Sequence, residues 1–290
     1  MRFRLLLALT LIPLLAVAAD AADFRIGSKN FTEQVLLGEM YAQALEAHGI
    51  KVQRKLNMGG TLIAHQALVS GEIDMYPEYT GTALANVLKA DTMTNADAVY
   101  QKVKAHYDKE LKLTWLAPTK INNTYVLVLL PELAQKHNLK TLSDLAKVSK
   151  TLVLGAGPEF RQRKDGIPGL KATYGIEWKE DRQFAIGLRY QALQGKQVDV
   201  IDGYATDGQI SAMKLVKLTD DKHLWPPYFV APVVRPQALK DFPRAEETMN
   251  QVSALLDEAS MSEMNWRVDG NKEDAKAVAR DFLKKKGVLK

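Results

Sequence analysis

The chain has 290 residues, of which 47% are hydrophobic and 25% are charged. This composition is normal for a folded protein of about two domains and excludes a long disordered chain. The absence of cysteine excludes disulfide scaffolds, thiolate metal sites, thiol catalysis and a thioether-linked lipid anchor. The formal charge of +5 comes from 39 basic and 34 acidic residues without a block of like charge, so we expect no nucleic-acid partner.

Residues 1–22 have the pattern of a secretory signal peptide. Arg2 and Arg4 give a positive start, the run Leu5–Ala19 is almost entirely apolar, and small residues near 18–22 fit a cleavage site. The alternative is a transmembrane anchor, but the run is shorter than the ~20 residues that such a helix needs. We therefore expect an exported protein in the periplasm of a double-membrane bacterium, without a lipid anchor.

The mature chain reads as alternating strands and helices. The predicted strands are Phe24–Gly27, Lys51–Met58, Ile73–Tyr76, Leu113–Leu116, Tyr125–Leu130, Thr151–Leu154, Val198–Ile201 and Leu215–Leu218, with Pro232–Val234 as an extended crossing segment. The predicted helices run from an N-cap at Thr32 to His48, from Gly59 to Gly71, and over Thr82–Leu88, Ala96–Leu111, Leu142–Val148, Ile186–Gln194, Ala245–Ala259, Ser262–Val268 and Asn271–Lys286. This alternation predicts α/β layers with mainly parallel sheets.

Motifs of the common enzyme classes are absent from the sequence. Gly155–Phe160 begins like a dinucleotide-binding loop, but Phe160 stands where the third glycine belongs. Gly203 and Gly208 have the spacing of a P-loop, but Gln209 follows them instead of lysine. No serine lies in a G-x-S-x-G elbow, and the five histidines are scattered, so we predict no metal site and no cofactor.

Tyrosines stand beside predicted loops at four places, each next to a strand. The segments are Met75–Thr82, Asn122–Tyr125, Asp202–Gly208 and Trp225–Tyr228. In open α/β sheets, ligands bind outside the carboxyl ends of the strands. Tyrosines that converge there can form a cage whose ring faces stabilise a quaternary ammonium group. For any one of these tyrosines alone, a core or turn position is the simpler interpretation.

Taken together, these segments resemble the substrate-binding proteins of ABC importers for glycine betaine, choline, carnitine and related osmoprotectants. The matching stretches are Gly27–Gln34, Gly59–Thr61, Tyr76–Thr82, Asn122–Tyr125, Asp202–Gly208 and Pro226–Tyr228. They span essentially the whole mature chain. The resemblance implies the α/β fold of a type II periplasmic binding protein, with two lobes joined by two crossing strands and the ligand in the cleft. Lobe 1 would comprise residues 23–120 and 225–290, and lobe 2 residues 121–224.

The resemblance also implies which residues bind the ligand. The cage would consist of Tyr79, Tyr125, Tyr204 and Tyr228. Thr82, one helical turn after Tyr79, and Lys29 fall at positions that contact the polar end of the ligand. Some members of the family carry glutamine at the position of Lys29. Asn123 and Tyr76 are secondary candidates, with a turn role and a packing role as their respective alternatives.

The preferred hypothesis is a non-catalytic, monomeric binding protein that delivers glycine betaine or a related betaine to an ABC permease and its ATPase subunits. Choline, carnitine and a histidine-derived betaine stay open as ligands. The competing hypothesis is a periplasmic enzyme that acts on an amine substrate, which requires a titratable group beside the tyrosines. Glu33, Glu78 and Asp207 are the nearby candidates, and each is more simply a helix-start or turn residue.

Overall fold

The computed structural model describes residues 23–290, so the predicted signal peptide at 1–22 lies outside the described residues. The strands are β1 (Phe24–Gly27), β2 (Val52–Lys55), β3 (Met75–Tyr79), β4 (Thr114–Trp115), β5 (Tyr125–Leu129), β6 (Val153–Ala156), β7 (Glu180–Gln183), β8 (Val200–Tyr204), β9 (Val216–Lys217) and β10 (Val230–Val234). The helices are α1 (Thr32–Ala47), α2 (Thr61–Val69), α3 (Thr80–Thr82), α4 (Ala96–His106), α5 (Pro131–His137), α6 (Leu142–Ala146), α7 (Pro158–Gln162), α8 (Ile167–Tyr174), α9 (Arg189–Gln194), α10 (Gly208–Ala212), α11 (Pro236–Asp241), α12 (Ala245–Ala254), α13 (Glu258–Asp269) and α14 (Ala275–Lys285).

The first sheet contains five strands in the order β2-β1-β3-β10-β4. β1 is parallel to β2 and β3, whereas β10 is antiparallel to β3 and β4. Every residue of β3 and β10 is buried, because both strands lie inside the sheet. The interpretation of Pro232–Val234 as a crossing segment is wrong, since these residues belong to β10, an interior strand of this sheet.

The second sheet also contains five strands, in the order β7-β6-β8-β5-β9. β6 is parallel to β7 and β8, and β5 is antiparallel to β8 and β9. The sequence does not predict the edge strand β7, because Glu180–Gln183 is polar throughout, and each of its residues is exposed. Such a strand has no apolar alternation to signal it, and the charges suit an edge that must not pair with another chain.

Helix α1 packs on helices α12, α13 and α14, and it is buried along most of its length. The prediction of Thr32 as its N-cap is wrong by one residue: Phe31 is the N-cap, and it offers no side-chain hydrogen bond. Thr32 is instead the first helical residue, and its Oγ1 donates to Oδ1 of Asp269 at 2.5 Å. No helix within residues 23–290 has both the length and the apolar character needed to cross a membrane.

The C-terminal helices differ in their boundaries from the prediction. The predicted helix Ala245–Ala259 is wrong at its end, because α12 stops at Ala254 and α13 starts at Glu258. Asp257 decides this break: its side chain accepts a hydrogen bond from the amide of Ser260 at 2.8 Å, and an acidic N-cap starts a new helix.

Two predicted helices contain a segment of π-helical winding. Residues Ala83–Val87 continue from α3 in this way, and residues Tyr107–Leu111 continue from α4. π-helical segments are rare and occur frequently at functional sites. The first one follows directly on Thr82, a predicted ligand contact.

Two neighbouring chain segments connect the sheets, one before β5 and one before β10. The amide of Asn123 donates to the carbonyl of Tyr228 at 3.1 Å, and the amide of Val230 donates to the carbonyl of Ile121 at 3.3 Å. Asn122 and Phe229 form an antiparallel bridge between the segments. The lobe boundaries at 120/121 and 224/225 stay a prediction; hereafter lobe 1 is the part built on the first sheet and lobe 2 the part built on the second.

Candidate functional site

A cavity of about 530 Å³ lies between the two lobes. Every predicted site residue except Tyr76 lines it: Lys29, Tyr79, Thr82, Asn123, Tyr125, Tyr204 and Tyr228. Tyr76 is fully buried beneath this wall, and its hydroxyl donates to Oε2 of Glu78 at 2.9 Å. The structure therefore brings together seven residues that lie as far as 199 positions apart in the sequence, from Lys29 to Tyr228.

Strand ends position the tyrosines. Tyr79 is the last residue of β3, and Tyr204 is the last residue of β8. Tyr125 is the first residue of β5 and pairs directly with Tyr204 across the antiparallel ladder, so the register places the two rings side by side. Tyr228 lies two residues before β10, whose Val230 pairs with Tyr79.

The aromatic rings form one continuous group. The ring centroid of Tyr125 lies 5.5 Å from that of Tyr204 and 5.9 Å from that of Tyr228. Phe31 connects Tyr79 to this group, with centroids 6.2 Å from Tyr79 and 5.4 Å from Tyr204. These separations are those of favourable aromatic pairs.

Two aromatic residues of the site are missing from the predicted set. Phe160 packs on Tyr125 with centroids 4.8 Å apart, and both Phe160 and Phe31 line the cavity. Phe31 lies inside the matching stretch Gly27–Gln34, so its position carried a usable signal. Phe160 carried none, because the sequence around it served only to reject a dinucleotide-binding loop.

The hydroxyl groups of the four tyrosines have different surroundings. Tyr79 donates to Oε1 of Glu33 at 2.8 Å, and Tyr228 donates to Oδ2 of Asp165 at 2.5 Å. Burial raises the pKa of all four phenols, and the carboxylate beside Tyr79 and Tyr228 raises the pKa further. The rings are therefore neutral phenols at physiological pH.

Lys29 lines the cavity and is paired with a carboxylate. Its Nζ is 2.5 Å from Oε1 of Glu78 and 3.2 Å from Oγ1 of Thr61. The same Nζ lies 5.1 Å from the ring centroid of Tyr79, and both members of the ion pair are buried. The pair explains how a lysine is tolerated in this position, since a buried ammonium requires an anionic partner.

Arg163 is a second cation in the wall of the cavity, and the sequence analysis does not identify it. Its guanidinium binds Asp165 through Nε at 2.7 Å and Nη2 at 2.6 Å, and it lies 5.2 Å from the ring centroid of Tyr125. Arg163 directly follows the short helix α7, where no element is predicted. Nothing local in the sequence distinguishes it from the exposed arginines.

The three carboxylates weighed as an enzymatic base do not line the cavity. Glu33 accepts hydrogen bonds from four side chains, Glu78 pairs with Lys29, and Asp207 accepts from Tyr190. Within residues 23–290, no group of three or more His, Cys, Asp or Glu side chains is placed to hold a metal ion.

A contact between the lobes lies beside the cavity. Helix α2 of lobe 1 begins after Gly60, which has no side chain to cap the helix. Glu159 of lobe 2 fills this role: its Oε1 accepts from the amide of Thr61 at 2.6 Å, and its Oε2 accepts from Oγ1 of Thr61 at 3.2 Å. A carboxylate at this end of a helix is favoured by the free amides and the helix dipole.

Comparison with protein families matches residues 22–285 to the substrate-binding domain of ABC-type glycine betaine transport systems. The chain is 35% identical over 298 residues to the glycine betaine-binding protein YehZ of Escherichia coli, covering 98% of this chain and 96% of that protein. It is 34% identical over 282 residues to the ergothioneine transport permease/ergothioneine binding protein EgtU of Helicobacter pylori. That match covers 97% of this chain and spans only 50% of EgtU.

Solved structures have the same architecture. A glycine betaine/carnitine/choline ABC transporter protein superimposes with a TM-score of 0.76 at 32% identity, over 92% of this chain and 100% of that chain. Lactococcal OpuAC, in its closed form with glycine betaine, superimposes with a TM-score of 0.67 at 16% identity, over 91% of this chain and 96% of that chain. The predicted type II periplasmic binding protein fold is confirmed.

Proposed function

This chain belongs to the family of substrate-binding domains of ABC-type glycine betaine transport systems, and from that premise we propose that it captures a quaternary-ammonium compound in the inter-lobe cavity. The observation that supports this most strongly is the convergence of Tyr79, Tyr125, Tyr204 and Tyr228 on one cavity. The proposed ligand is glycine betaine or a related betaine.

The chemistry of a trimethylammonium group suits such a site. The group has no N–H to donate, and its charge is spread over methyl groups, so it is weakly hydrated. Each aromatic face contributes about 0.5–2 kcal/mol to the binding of a desolvated cation. Four faces therefore supply several kcal/mol before the ordering costs of binding are subtracted.

The carboxylate of a betaine would lie among the polar groups of the wall. Lys29, Thr82 and Arg163 all line the cavity and carry donors. Lys29 and Arg163 are each paired with a carboxylate, so they offer directed hydrogen bonds more than net positive charge. A zwitterion satisfies both halves of the site, whereas choline leaves the polar half without an anion.

The volume of the cavity is large enough for betaines bigger than glycine betaine. About 530 Å³ exceeds what glycine betaine alone fills, and the apolar side chains of Leu62, Ile63 and Ile186 line part of it. Relatives are named for carnitine and for ergothioneine, a histidine-derived betaine. Carnitine and a histidine-derived betaine are therefore the second candidates, ahead of choline.

We further propose that the protein acts as a monomer in the periplasm and delivers its ligand to a permease with ATPase subunits, without chemical change. Names of relatives support transport: YehZ is a binding protein, and EgtU joins a permease and a binding protein in one chain. An unpaired base beside the ligand would favour an enzyme instead, and the carboxylates Glu33, Glu78 and Asp207 do not line the cavity.

Calorimetric titration tests the function. We expect glycine betaine, carnitine or the betaine of histidine to bind at micromolar concentration or below, choline to bind more weakly, and dimethylglycine to bind least. Absence of binding by every quaternary amine would refute the proposal. Proton NMR of the ligand after incubation distinguishes binding from catalysis, because an enzyme would alter the spectrum of the recovered ligand.

A further inference from the structure

Buried carboxylates surround the cavity, and most of them have a basic partner. The pairs are Glu78 with Lys29 at 2.5 Å, Asp165 with Arg163 at 2.6 Å, and Asp202 with Arg189 at 2.5 Å. Each pair is electrically neutral as a unit. Burial of such a unit costs far less than burial of an isolated ion.

Glu33 is different from these carboxylates. Its Oε1 accepts from the hydroxyl of Tyr79 at 2.8 Å and from Nδ2 of Asn123 at 2.9 Å. Its Oε2 accepts from Oγ1 of Thr206 at 2.5 Å and from Nδ2 of Asn265 at 3.3 Å. All four donors are neutral, and within residues 23–290 no Lys, Arg or His lies within ion-pairing distance of this buried carboxylate.

The donors of Glu33 connect it to the ligand site. Tyr79 and Asn123 line the cavity, and Thr206 lies two residues after Tyr204. Burial raises the pKa of Glu33, whereas the four hydrogen bonds that it accepts favour its ionised form. The carboxylate lies at the hydroxyl end of the Tyr79 ring, outside the cavity but one phenol away from it. A phenol that donates to an anion becomes more electron-rich on its ring faces, and a cation above such a face is held more strongly.

We infer that Glu33 is the buried counter-charge of the bound quaternary ammonium, and that it acts through Tyr79 without touching the ligand. This inference rests on the proposed function. In the free protein the carboxylate is held by four neutral donors. In the complex the ammonium group of the ligand supplies the positive charge that no side chain provides near Glu33 within residues 23–290. Part of the selectivity for cations therefore comes from a residue outside the cavity.

Asp165 provides the internal contrast. It accepts from Tyr228 as Glu33 accepts from Tyr79, but Arg163 already balances its charge. The ring of Tyr228 therefore gains less from its carboxylate than the ring of Tyr79. The two tyrosines have the same hydrogen-bond chemistry and a different net charge behind them, which makes Glu33 the group to test.

The test compares two ligands of the same shape. Glycine betaine and 3,3-dimethylbutanoate differ only in the central atom, nitrogen in one and carbon in the other, so only the first carries the positive charge. Glu33→Gln keeps the side-chain length, and the hydroxyl of Thr206 can accept from the new amide. We expect the variant to lower the affinity for glycine betaine at least tenfold relative to the affinity for 3,3-dimethylbutanoate, as measured by calorimetry or competition.

Two further variants serve as a second test and as a control. Tyr79→Phe keeps the ring and removes its link to Glu33, so we expect the preference for the cation to fall in the same direction, by threefold or more. Glu46→Gln removes a charge from the same helix at an exposed pair with Arg54, and both affinities should stay unchanged.

Three outcomes decide the inference. A loss confined to glycine betaine supports it. Equal losses for both ligands in Glu33→Gln and in Tyr79→Phe assign Glu33 a purely structural role and overturn the inference. Affinities for both ligands that stay unchanged in both variants overturn it as well. Parent protein that binds no quaternary ammonium would instead refute the proposed function itself.

Discussion

The two walls of the cavity differ in the charge that lies behind their tyrosine rings. On the lobe 1 wall, the cation Lys29 is neutralised by Glu78, and Tyr79 donates to the unbalanced carboxylate of Glu33. A paired cation lies over one ring on each wall at a similar distance: Lys29 is 5.1 Å from the centroid of Tyr79, Arg163 is 5.2 Å from that of Tyr125, and Arg189 is 5.0 Å from that of Tyr204. Of these three rings, only that of Tyr79 carries a hydroxyl that donates to a carboxylate without a basic partner within residues 23–290.

This difference indicates which ring attracts the ammonium group of the ligand most strongly. A cation over one face of a ring occupies that face and draws electron density toward it, so each of these three rings attracts a second cation less strongly. The unpaired carboxylate behind Tyr79 offsets this effect at that ring, which suits an ammonium group, whereas Lys29, Thr82 and Arg163 offer the donors that suit a carboxylate. A zwitterionic ligand contacts both walls, which favours closure of the lobes around it.

The largest effect on binding is expected when Arg163 of the lobe 2 wall and its partner Asp165 are replaced together. The double variant Arg163→Met with Asp165→Asn avoids an unpaired buried carboxylate, and the amide oxygen that replaces the carboxylate can still accept from Tyr228. Charged hydrogen bonds contribute about 1.5–3 kcal/mol, so affinity for glycine betaine should fall roughly 10- to 100-fold. Affinity for choline should fall less than threefold.

Calorimetry with both ligands measures this effect. The exposed pair of Arg161 with Asp181 on the same lobe provides the control, and its double variant Arg161→Met with Asp181→Asn should bind like the parent. If the affinities for glycine betaine and for choline fall by the same factor, Arg163 does not bind the carboxylate of the betaine.

The next effect ranks the rings. Tyr79→Ala and Tyr204→Ala should each weaken glycine betaine binding by about tenfold, from roughly 1.4 kcal/mol per lost face. A cation lies over one face of both rings, but only Tyr79 donates to an unpaired carboxylate, so we expect the loss to be larger at Tyr79. Phe at position 204 should cost little, since the hydroxyl of Tyr204 donates to no group within residues 23–290. A larger loss at Tyr204 than at Tyr79 in titrations would contradict the contrast between the walls.

A smaller effect concerns the contact that joins the walls. Glu159→Gln removes a charge from the start of helix α2, which costs about 0.3–1 kcal/mol in the closed form alone. We expect a two- to fivefold faster dissociation of ligand in stopped-flow measurements, with a shift toward the open form in small-angle scattering. Glu132→Gln, at the exposed start of α5, is the matched control. Equal dissociation rates for the two variants would rule out a role of Glu159 in closure.

The smallest effect is a pH dependence of stability. Burial raises the pKa of Asp207 to about 6, against the attraction of Arg189, whereas the unfolded value is about 3.9. At Asp207 the folded protein therefore binds more protons than the unfolded chain between these values, and the contribution of this group to stability falls as pH rises from about 4 to 6.

Denaturant unfolding at pH 4 and pH 6.5 measures this dependence. Relative to Asp207→Asn, the parent should lose stability over the interval. Asp144 has the opposite sign, because the hydrogen bond from Lys147 lowers its pKa to about 2. Relative to Asp144→Asn, the parent should therefore gain slightly in stability over the same interval and not lose. If the parent instead gains stability relative to Asp207→Asn between pH 4 and pH 6.5, the carboxylate of Asp207 is stabilised in its ionised form.

Much of the site follows from local sequence. Tyr79, Tyr125 and Tyr204 lie at strand ends, which turn residues and apolar runs mark in the sequence, and ligand sites gather where strands end. The α/β class follows from the same alternation of strands and helices. The order of matching segments along the chain was enough to identify the family resemblance.

The charge balance of the site depends on tertiary structure. The sequence places Lys29 at the polar end of the ligand without showing its partner, which is Glu78, 49 positions away. Arg163 lies after a short helix with no local signal, and Thr206 meets Glu33 across 173 positions. Strand and turn preferences act over a few residues, so local sequence is enough to place aromatic and polar side chains at the ends of strands. Only the packing of the two lobes decided which buried charges are paired and which one is left unbalanced, because the partners of a buried charge are set by distance in space.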